Sequence, residues 1–219
     1  LRFLVSSFNR LLRLFSFFMA VLLPAFYIAL IGFHYEVVPQ NMIFLVKKTL
    51  INVPYQPLIE ALIVEIFIEL IREATLRLPT KIGPTIGIVG GLVIGDAIVQ
   101  AGLVSNIMIV IVALTAISSF VIPSPEMSST VRLIRFPFMF IASILGILGI
   151  VMGLIILVGH LCKLRPFGVP FLTPIAPLDW NGLKDSFVRL PIFTQNTRPA
   201  DALNKNPIRE RFFRWWKKQ

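Results

Sequence analysis

The chain has 219 residues, of which 56% are hydrophobic and 15% charged, with 21 Lys and Arg against 11 Asp and Glu. Soluble domains carry about 25% charged residues, so this composition excludes an ordinary soluble enzyme and predicts an integral membrane protein whose apolar surface faces lipid. The single cysteine, Cys162, excludes an intramolecular disulfide and a multi-cysteine metal site.

The first predicted transmembrane helix runs from Leu14 to Phe33. Its length of about 20 residues corresponds to about 30 Å, which matches the hydrocarbon thickness of a bilayer. Arg2, Arg10 and Arg13 precede it, so the positive-inside rule places its N-terminus in the cytoplasm. Pro24 is expected to kink this helix.

An acidic amphipathic helix is predicted from Leu58 to Leu78. Four of its charged side chains fall within about 100° of arc. The candidates for gating or for a subunit contact are Glu65, Glu69, Arg72 and Glu73. Two interpretations remain open. The helix lies in the membrane interface with its charges in water, or it is buried and Glu65 and Glu69 need partners from other segments; Glu73 can pair with Arg77.

A glycine-rich helix is predicted from Gly83 to Gly102. Glycines at every fourth position allow close helix packing, and they are Gly83, Gly87, Gly91 and Gly95. The opposite face carries the candidate ion-path residues Thr85, Val89, Leu92, Asp96 and Gln100. We hypothesise that Asp96 and Gln100 stand at one mouth of an ion path, since acidic rings attract cations. The alternative is that Asp96, about 9 Å from Gly102 along the helix, only reaches headgroup water.

Two further apolar spans are predicted, from Ile107 to Ile122 and from Phe138 to Leu161. If the acidic helix lies in the interface, four helices cross the bilayer and both chain ends are cytoplasmic. If it crosses, five helices span the bilayer and the C-terminal tail lies outside. The basic tail favours four crossings, whereas Arg132 and Arg135 between the last two spans favour five.

Residues 163–219 are predicted to form an irregular basic tail. Eleven of the 21 Lys and Arg residues lie there, and four prolines between positions 166 and 177 exclude a continuous helix. Near the end, aromatic residues alternate with basic ones, which is typical of a membrane-interface anchor. The aromatic residues are Phe212, Phe213, Trp215 and Trp216. No nucleic-acid-binding motif accompanies them, so the expected partner is membrane lipid and not nucleic acid.

Catalytic residues, cofactors and metal sites are not expected in this sequence. The two histidines, His34 and His160, lie on different segments without Cys, Asp or Glu at metal-ligand spacing. No phosphate-binding loop or nucleophile motif is present.

The predicted fold class is a non-enzymatic, all-α integral membrane protein. It has four to five transmembrane helices, an amphipathic acidic helix and an irregular basic C-terminal tail, divided into a transmembrane domain (1–162) and the tail (163–219).

Long stretches of the sequence resemble the A subunit of the GerA-type spore germinant receptors, the membrane proteins through which dormant bacterial spores sense nutrients. The matching segments are LLPAFYIAL at 22–30, LIEALIVEIFIELIREATLRLP ending at position 79, IVGGLVIGDAIVQAGLVS at 88–105, IVALTAISSFVIP at 111–123, RLIRFP at 132–137, HLCKLRPFGVPFLTPIAP at 160–177 and LKDSFVRLP at 183–191. The resemblance extends over nearly the whole chain. Members of this family carry a large soluble N-terminal domain, which we expect to be absent from this chain.

The resemblance implies a B subunit similar to amino-acid transporters, which binds the nutrient, and a lipoprotein C subunit, all in the spore inner membrane. It also implies that A subunits assemble as a ring, a homo-oligomer that forms or controls a nutrient-gated cation path. The alternatives are a non-conducting scaffold for the partner subunits and a sporulation-specific paralogue with the same membrane domain. A secondary transporter acting alone is disfavoured because no inverted repeat is visible.

Overall fold

The computed structural model describes residues 2–37, 39, 46, 53–79, 82–178, 180–183 and 186, and all regular structure within them is helical. The helices are α1 (Arg2–Phe33), α2 (Pro57–Arg77), α3 (Gly83–Gln100), α4 (Asn106–Phe120), α5 (Pro125–Lys163) and the short α6 (Trp180–Leu183). Two 3₁₀ turns, Tyr35–Val37 and Pro166–Gly168, follow α1 and α5. The predicted all-α class is confirmed.

Two helices extend well beyond their predicted apolar spans. α1 starts at Arg2 and α5 at Pro125, because a hydropathy window detects only the apolar part of a helix that continues through polar residues. Pro125 suits the start of α5 since a first-turn residue needs no N–H partner, and Ser124 Oγ accepts from Met127 N at 3.4 Å. Only α1 and α5, within the described part of the chain, are long and apolar enough to cross a membrane.

The chain divides into two compact units, Ser16–Gly153 and a second one made of Leu1–Phe15 with Leu154–Gln219. The second unit contains the irregular segment after α5. The described part of that segment has cis peptide bonds before Pro174 and Pro177 and no helix longer than the four residues of α6. The first unit contains α2, α3, α4 and most of α1 and α5, and all contacts described below lie within it.

Helices α2, α3 and α4 alternate in direction. Ser105, the N-cap of α4, contacts Glu60 near the start of α2, whereas Ser119 near the end of α4 contacts Arg72 near the end of α2. Helices α2 and α4 are therefore parallel. Helix α3 runs antiparallel to α2, since its first glycine, Gly83, faces Thr75 and its later Gly90 faces Ile71.

Helix α1 and the part of α5 before Gly146 run in the same direction, since Ala20 lies beside Arg135 and Phe33 beside Gly146, and both are antiparallel to α2. Arg135 contacts Ala20 of α1 and Glu65 of α2, and Arg132, one turn earlier, reaches Glu69. The apolar core of the unit lies where these helices meet. Its fully buried side chains include Val21, Met108, Val112, Val131 and Met139.

Helix α5 is interrupted at Gly146 and turns back on itself. Gly146 has φ 62° and ψ −141°, a backbone conformation that strongly favours glycine. In a straight helix Phe138 and Gly153 would be about 22 Å apart. Here a Cβ atom built on Gly153 would lie 2.9 Å from Phe138 Cε1. The predicted single last span, 138–161, therefore consists of two arms, and the spacing of the glycines at 146, 149 and 153 explains their close approach.

Candidate functional site: a buried ion pair and an exposed face of α3

A buried ion pair joins three helices of the first unit. Arg135 Nη1 lies 2.6 Å from both carboxylate oxygens of Glu65, and the two side chains are only 3% and 5% exposed. Arg135 Nε also donates to the carbonyl oxygen of Ala20 at 2.7 Å. Because each buried charge would be very costly alone, the pair fixes how α1, α2 and α5 pack.

A second buried carboxylate, Glu60, holds the start of α4. Its Oε1 accepts from Ser105 N at 2.5 Å, while Ser105 Oγ accepts from Met108 N at 3.2 Å. Ser105 is thus a side-chain N-cap for α4. Within the described residues, Glu60 Oε2 and the buried hydroxyl of Tyr27 have no hydrogen-bond partner.

The remaining charges of α2 lie towards its C-terminal end. Glu69 Oε1 lies 3.7 Å from Arg132 Nη1. Arg72 donates to Ser119 Oγ at 3.3 Å and lies 4.7 Å above the ring of Phe120. The predicted i,i+4 pair between Glu73 and Arg77 is present at 2.7 Å, and both side chains are largely exposed.

These contacts separate the four predicted gating residues. Glu65 is inside the helix bundle with Arg135, and Glu69 and Arg72 are partly buried beside α5 and α4. Glu73 is on the surface. The interpretation that all the charges of α2 lie in water does not describe Glu65.

The five candidate ion-path residues lie together on an exposed face of α3. Asp96 Oδ2 accepts from Gln100 Nε2 at 2.7 Å. A cavity of about 790 Å³ lies beside this end of α3, and Asn106 and Val110 of α4 also line it. This face of α3 is therefore exposed among the described residues. Its one charged group, the Asp96 carboxylate, is hydrogen-bonded to the neutral amide of Gln100.

Only two of the four regularly spaced glycines of α3 pack closely against another described helix. A Cβ atom on Gly83 would lie 2.9 Å from the carbonyl oxygen of Thr75, and one on Gly87 would lie 3.2 Å from its Cγ2. The first two glycines therefore provide the close contact with α2. Atoms built at Gly91 and Gly95 would meet no described atom within 4 Å.

The predicted interface anchor lies outside the described residues. Its residues are Phe212, Phe213, Trp215 and Trp216. The described part of the chain contains no cluster of three His, Cys, Asp or Glu side chains that could hold a metal ion. His34 lies beside Gly146 at the turn of α5, and His160 is exposed.

The sequence did not predict the burial of Glu60 and Tyr27 or the ion pair of Arg135. Arg135 entered only as a charge in a loop between two spans, because its helix was expected to begin after it. Two signals were available in the sequence. Glu60 is an acid among apolar residues, and Arg135 follows Arg132 by three residues at the edge of an apolar segment. Charges in such surroundings require a partner, but the sequence does not identify which one.

These features define an all-helical protein with helices long enough to cross a membrane, in which one buried ion pair joins three helices. The family model described as Bacillus/Clostridium GerA spore germination protein matches residues 1–201. The chain therefore belongs to the GerA family, which is a family of spore germination proteins and not of enzymes.

Individual relatives extend this match. The chain is 49% identical over 199 residues to the uncharacterized membrane protein YfkQ of Bacillus subtilis (strain 168), covering 91% of this chain and 39% of that protein. It is 46% identical over 210 residues to spore germination protein GerQA of Bacillus cereus, covering 94% and 41%. It is 41% identical over 209 residues to spore germination protein KA of Bacillus subtilis (strain 168), covering 95% and 38%. The chain thus spans about two fifths of the length of these relatives. No solved structure matches it.

Proposed function

We propose that this chain is the membrane-embedded part of a germinant-receptor subunit in the spore inner membrane, where it assembles with further copies to form or control a cation-release path. Membership of the GerA family supports the role in germination. The transporter-like B subunit and the lipoprotein C subunit are the proposed partners. The exposed polar face of α3 is the single observation that carries the ion path.

In the proposed arrangement α2 is part of the transmembrane bundle and does not lie in the interface. The burial of Glu65 and its pairing with Arg135 support this arrangement, since an interfacial helix would keep such charges in water. Helix α1 runs outward if Arg10 and Arg13 are cytoplasmic. Helix α2, which is antiparallel to it, then ends with Arg72 and Arg77 on the cytoplasmic side.

The proposed path is lined by the exposed face of α3 and closed by further copies of the chain. Thr85, Asp96 and Gln100 supply its polar groups, and the bare Gly91 and Gly95 supply a surface for close approach of another helix. Asp96 is the charge that would concentrate cations at one mouth.

The test is cation release from spores that carry Asp96→Asn in the full-length subunit with its partners present. We expect slower release and a changed preference between potassium and sodium after nutrient addition. Glu126→Gln is the matched control, since Glu126 is an exposed acid in the first turn of α5 and belongs to neither candidate set, and it should leave release unchanged. Unchanged rate and preference in Asp96→Asn would rule out the charged mouth.

The alternative function is a scaffold that holds the B and C subunits without conducting. The bare glycines favour it as much as they favour a pore, since both need close helix contacts. Ion flux through the purified subunit in proteoliposomes separates the two, because a scaffold gives no flux above that of empty vesicles. A sporulation-specific paralogue would instead leave nutrient-triggered germination intact when its gene is deleted.

A further inference from the structure

A second cavity, distinct from the proposed ion path, lies between the C-terminal part of α2, the start of α3, the end of α4 and the start of α5. Its volume is about 810 Å³, within the range of small-molecule sites in proteins. Its walls are mostly apolar and include Ile71, Ile88 and Phe120, with Arg72 and Arg132 also lining it. The cavity therefore combines a long apolar surface with two cationic side chains.

Arg72 has unused hydrogen-bonding capacity in this cavity. Its recorded contacts are the hydroxyl of Ser119 and the ring of Phe120, and no carboxylate among the described residues pairs with it. Its Nε is buried and has no partner in the described part of the chain. Because a guanidinium has five N–H donors, this side chain is available for an anion.

Arg132 adds a second guanidinium. Its Nη2 donates to Ser129 Oγ at 2.9 Å and its Nη1 lies 3.7 Å from Glu69, while its buried Nε has no partner among the described residues. Glu69 is 47% exposed, so water weakens this one compensating charge. Two cations and one partly solvated acid leave the site positively charged.

We propose that this cavity binds an anionic phospholipid, with its phosphate between Arg72 and Arg132 and an acyl chain along Ile71, Ile88 and Phe120. Charge complementarity selects the phosphate, and the apolar walls select a lipid over free phosphate. The inference rests on the proposed membrane location but not on the proposed ion path.

The position of Arg132 in the sequence agrees with a headgroup site. The part of α5 from Phe136 to its turn at Gly146 contains no charged residue, so it suits hydrocarbon. Arg132 precedes that segment by four residues, about 6 Å along the helix. Its guanidinium is therefore expected at the depth of lipid phosphates, where basic side chains are stabilised.

The experiment measures phosphatidylglycerol retained by the full-length receptor, purified in detergent and quantified by mass spectrometry of co-purifying lipid. We expect each of Arg72→Gln and Arg132→Gln to weaken phosphatidylglycerol binding about fivefold, and the double variant to lose it. Arg77→Gln is the control, because Arg77 is an exposed arginine that does not line the cavity, and it should retain wild-type lipid. Equal retention in the double variant would overturn the proposal.

Two further arms identify the ligand. Phosphatidylcholine should not replace phosphatidylglycerol, and millimolar inorganic phosphate should not displace it; displacement by inorganic phosphate alone would show a free-phosphate site and overturn the lipid assignment.

Ile88→Trp keeps both arginines and changes an exposed position, so it tests the apolar wall even if the arginine variants fail to assemble. It should reduce retention, and unchanged retention would contradict the acyl-chain placement. Loss of lipid with intact ion flux, or the reverse, separates this inference from the proposed function.

Discussion

The buried pair between Arg135 and Glu65 allows a quantitative test of how the bundle is held together. Glu65→Leu leaves Arg135 with only the carbonyl oxygen of Ala20 as a recorded partner. Removing one member of a buried pair costs about 3–5 kcal/mol, which in a domain of this size corresponds to a fall in Tm of about 6–20 °C. Arg135→Met should cost a similar amount, because it leaves the Glu65 carboxylate buried without its cation.

The double variant, Glu65→Leu with Arg135→Met, distinguishes pairing from general damage to the core. Since both charges are then absent, its stability should return to within about 2 kcal/mol of wild type. The measurement is the thermal denaturation of the purified full-length protein in detergent. Glu73→Gln is the control, and its exposed pair should contribute less than about 1 kcal/mol. A double variant that loses the sum of both single losses would refute the reasoning.

Two further predictions concern glycines. Gly146→Ala should destabilise the fold by about 1–3 kcal/mol from its backbone conformation alone, φ 62° and ψ −141°. A further cost is expected because a Cβ there lies 3.2 Å from Phe33 Cβ. Gly159→Ala, whose Cβ meets no described atom within 4 Å, is the control, and equal Tm values for the two variants would contradict this. Gly95→Leu should keep the wild-type Tm but shift the purified subunit from oligomer to monomer in mass photometry, and an unchanged mass distribution would argue against self-association through this face.

The helices themselves were largely predictable from the sequence. The acidic pattern predicted Leu58 to Leu78 and α2 runs from Pro57 to Arg77. The glycine pattern predicted the start of α3 at Gly83, where it begins. These boundaries follow from prolines and from apolar periodicity, which act over a few neighbouring residues. Local signals were therefore sufficient for local structure.

The pairing of charges was not predictable in the same way. Glu65 and Arg135 are 70 residues apart, and an unpaired acid in an apolar helix indicates only that some cation must meet it. The turn of α5 was missed for a different reason. A glycine inside an apolar run is compatible with a straight helix, and only contacts such as that of Gly153 with Phe138 distinguish a hairpin.

The pairing pattern also changes which acid best serves a cation path. Glu65 is paired with Arg135 inside the bundle, and Glu69 and Glu73 each lie near an arginine, at 3.7 Å from Arg132 and 2.7 Å from Arg77. An acid whose charge is already balanced by a close cation attracts another cation only weakly. Asp96 is different, since its recorded partner is the neutral amide of Gln100 and its side chain is exposed. Among the acids predicted to act in gating or conduction, Asp96 therefore has the largest uncompensated charge. The paired charges of α2 are better suited to holding the position of the helices than to carrying ions, so mutations in them should alter stability and assembly before they alter ion preference.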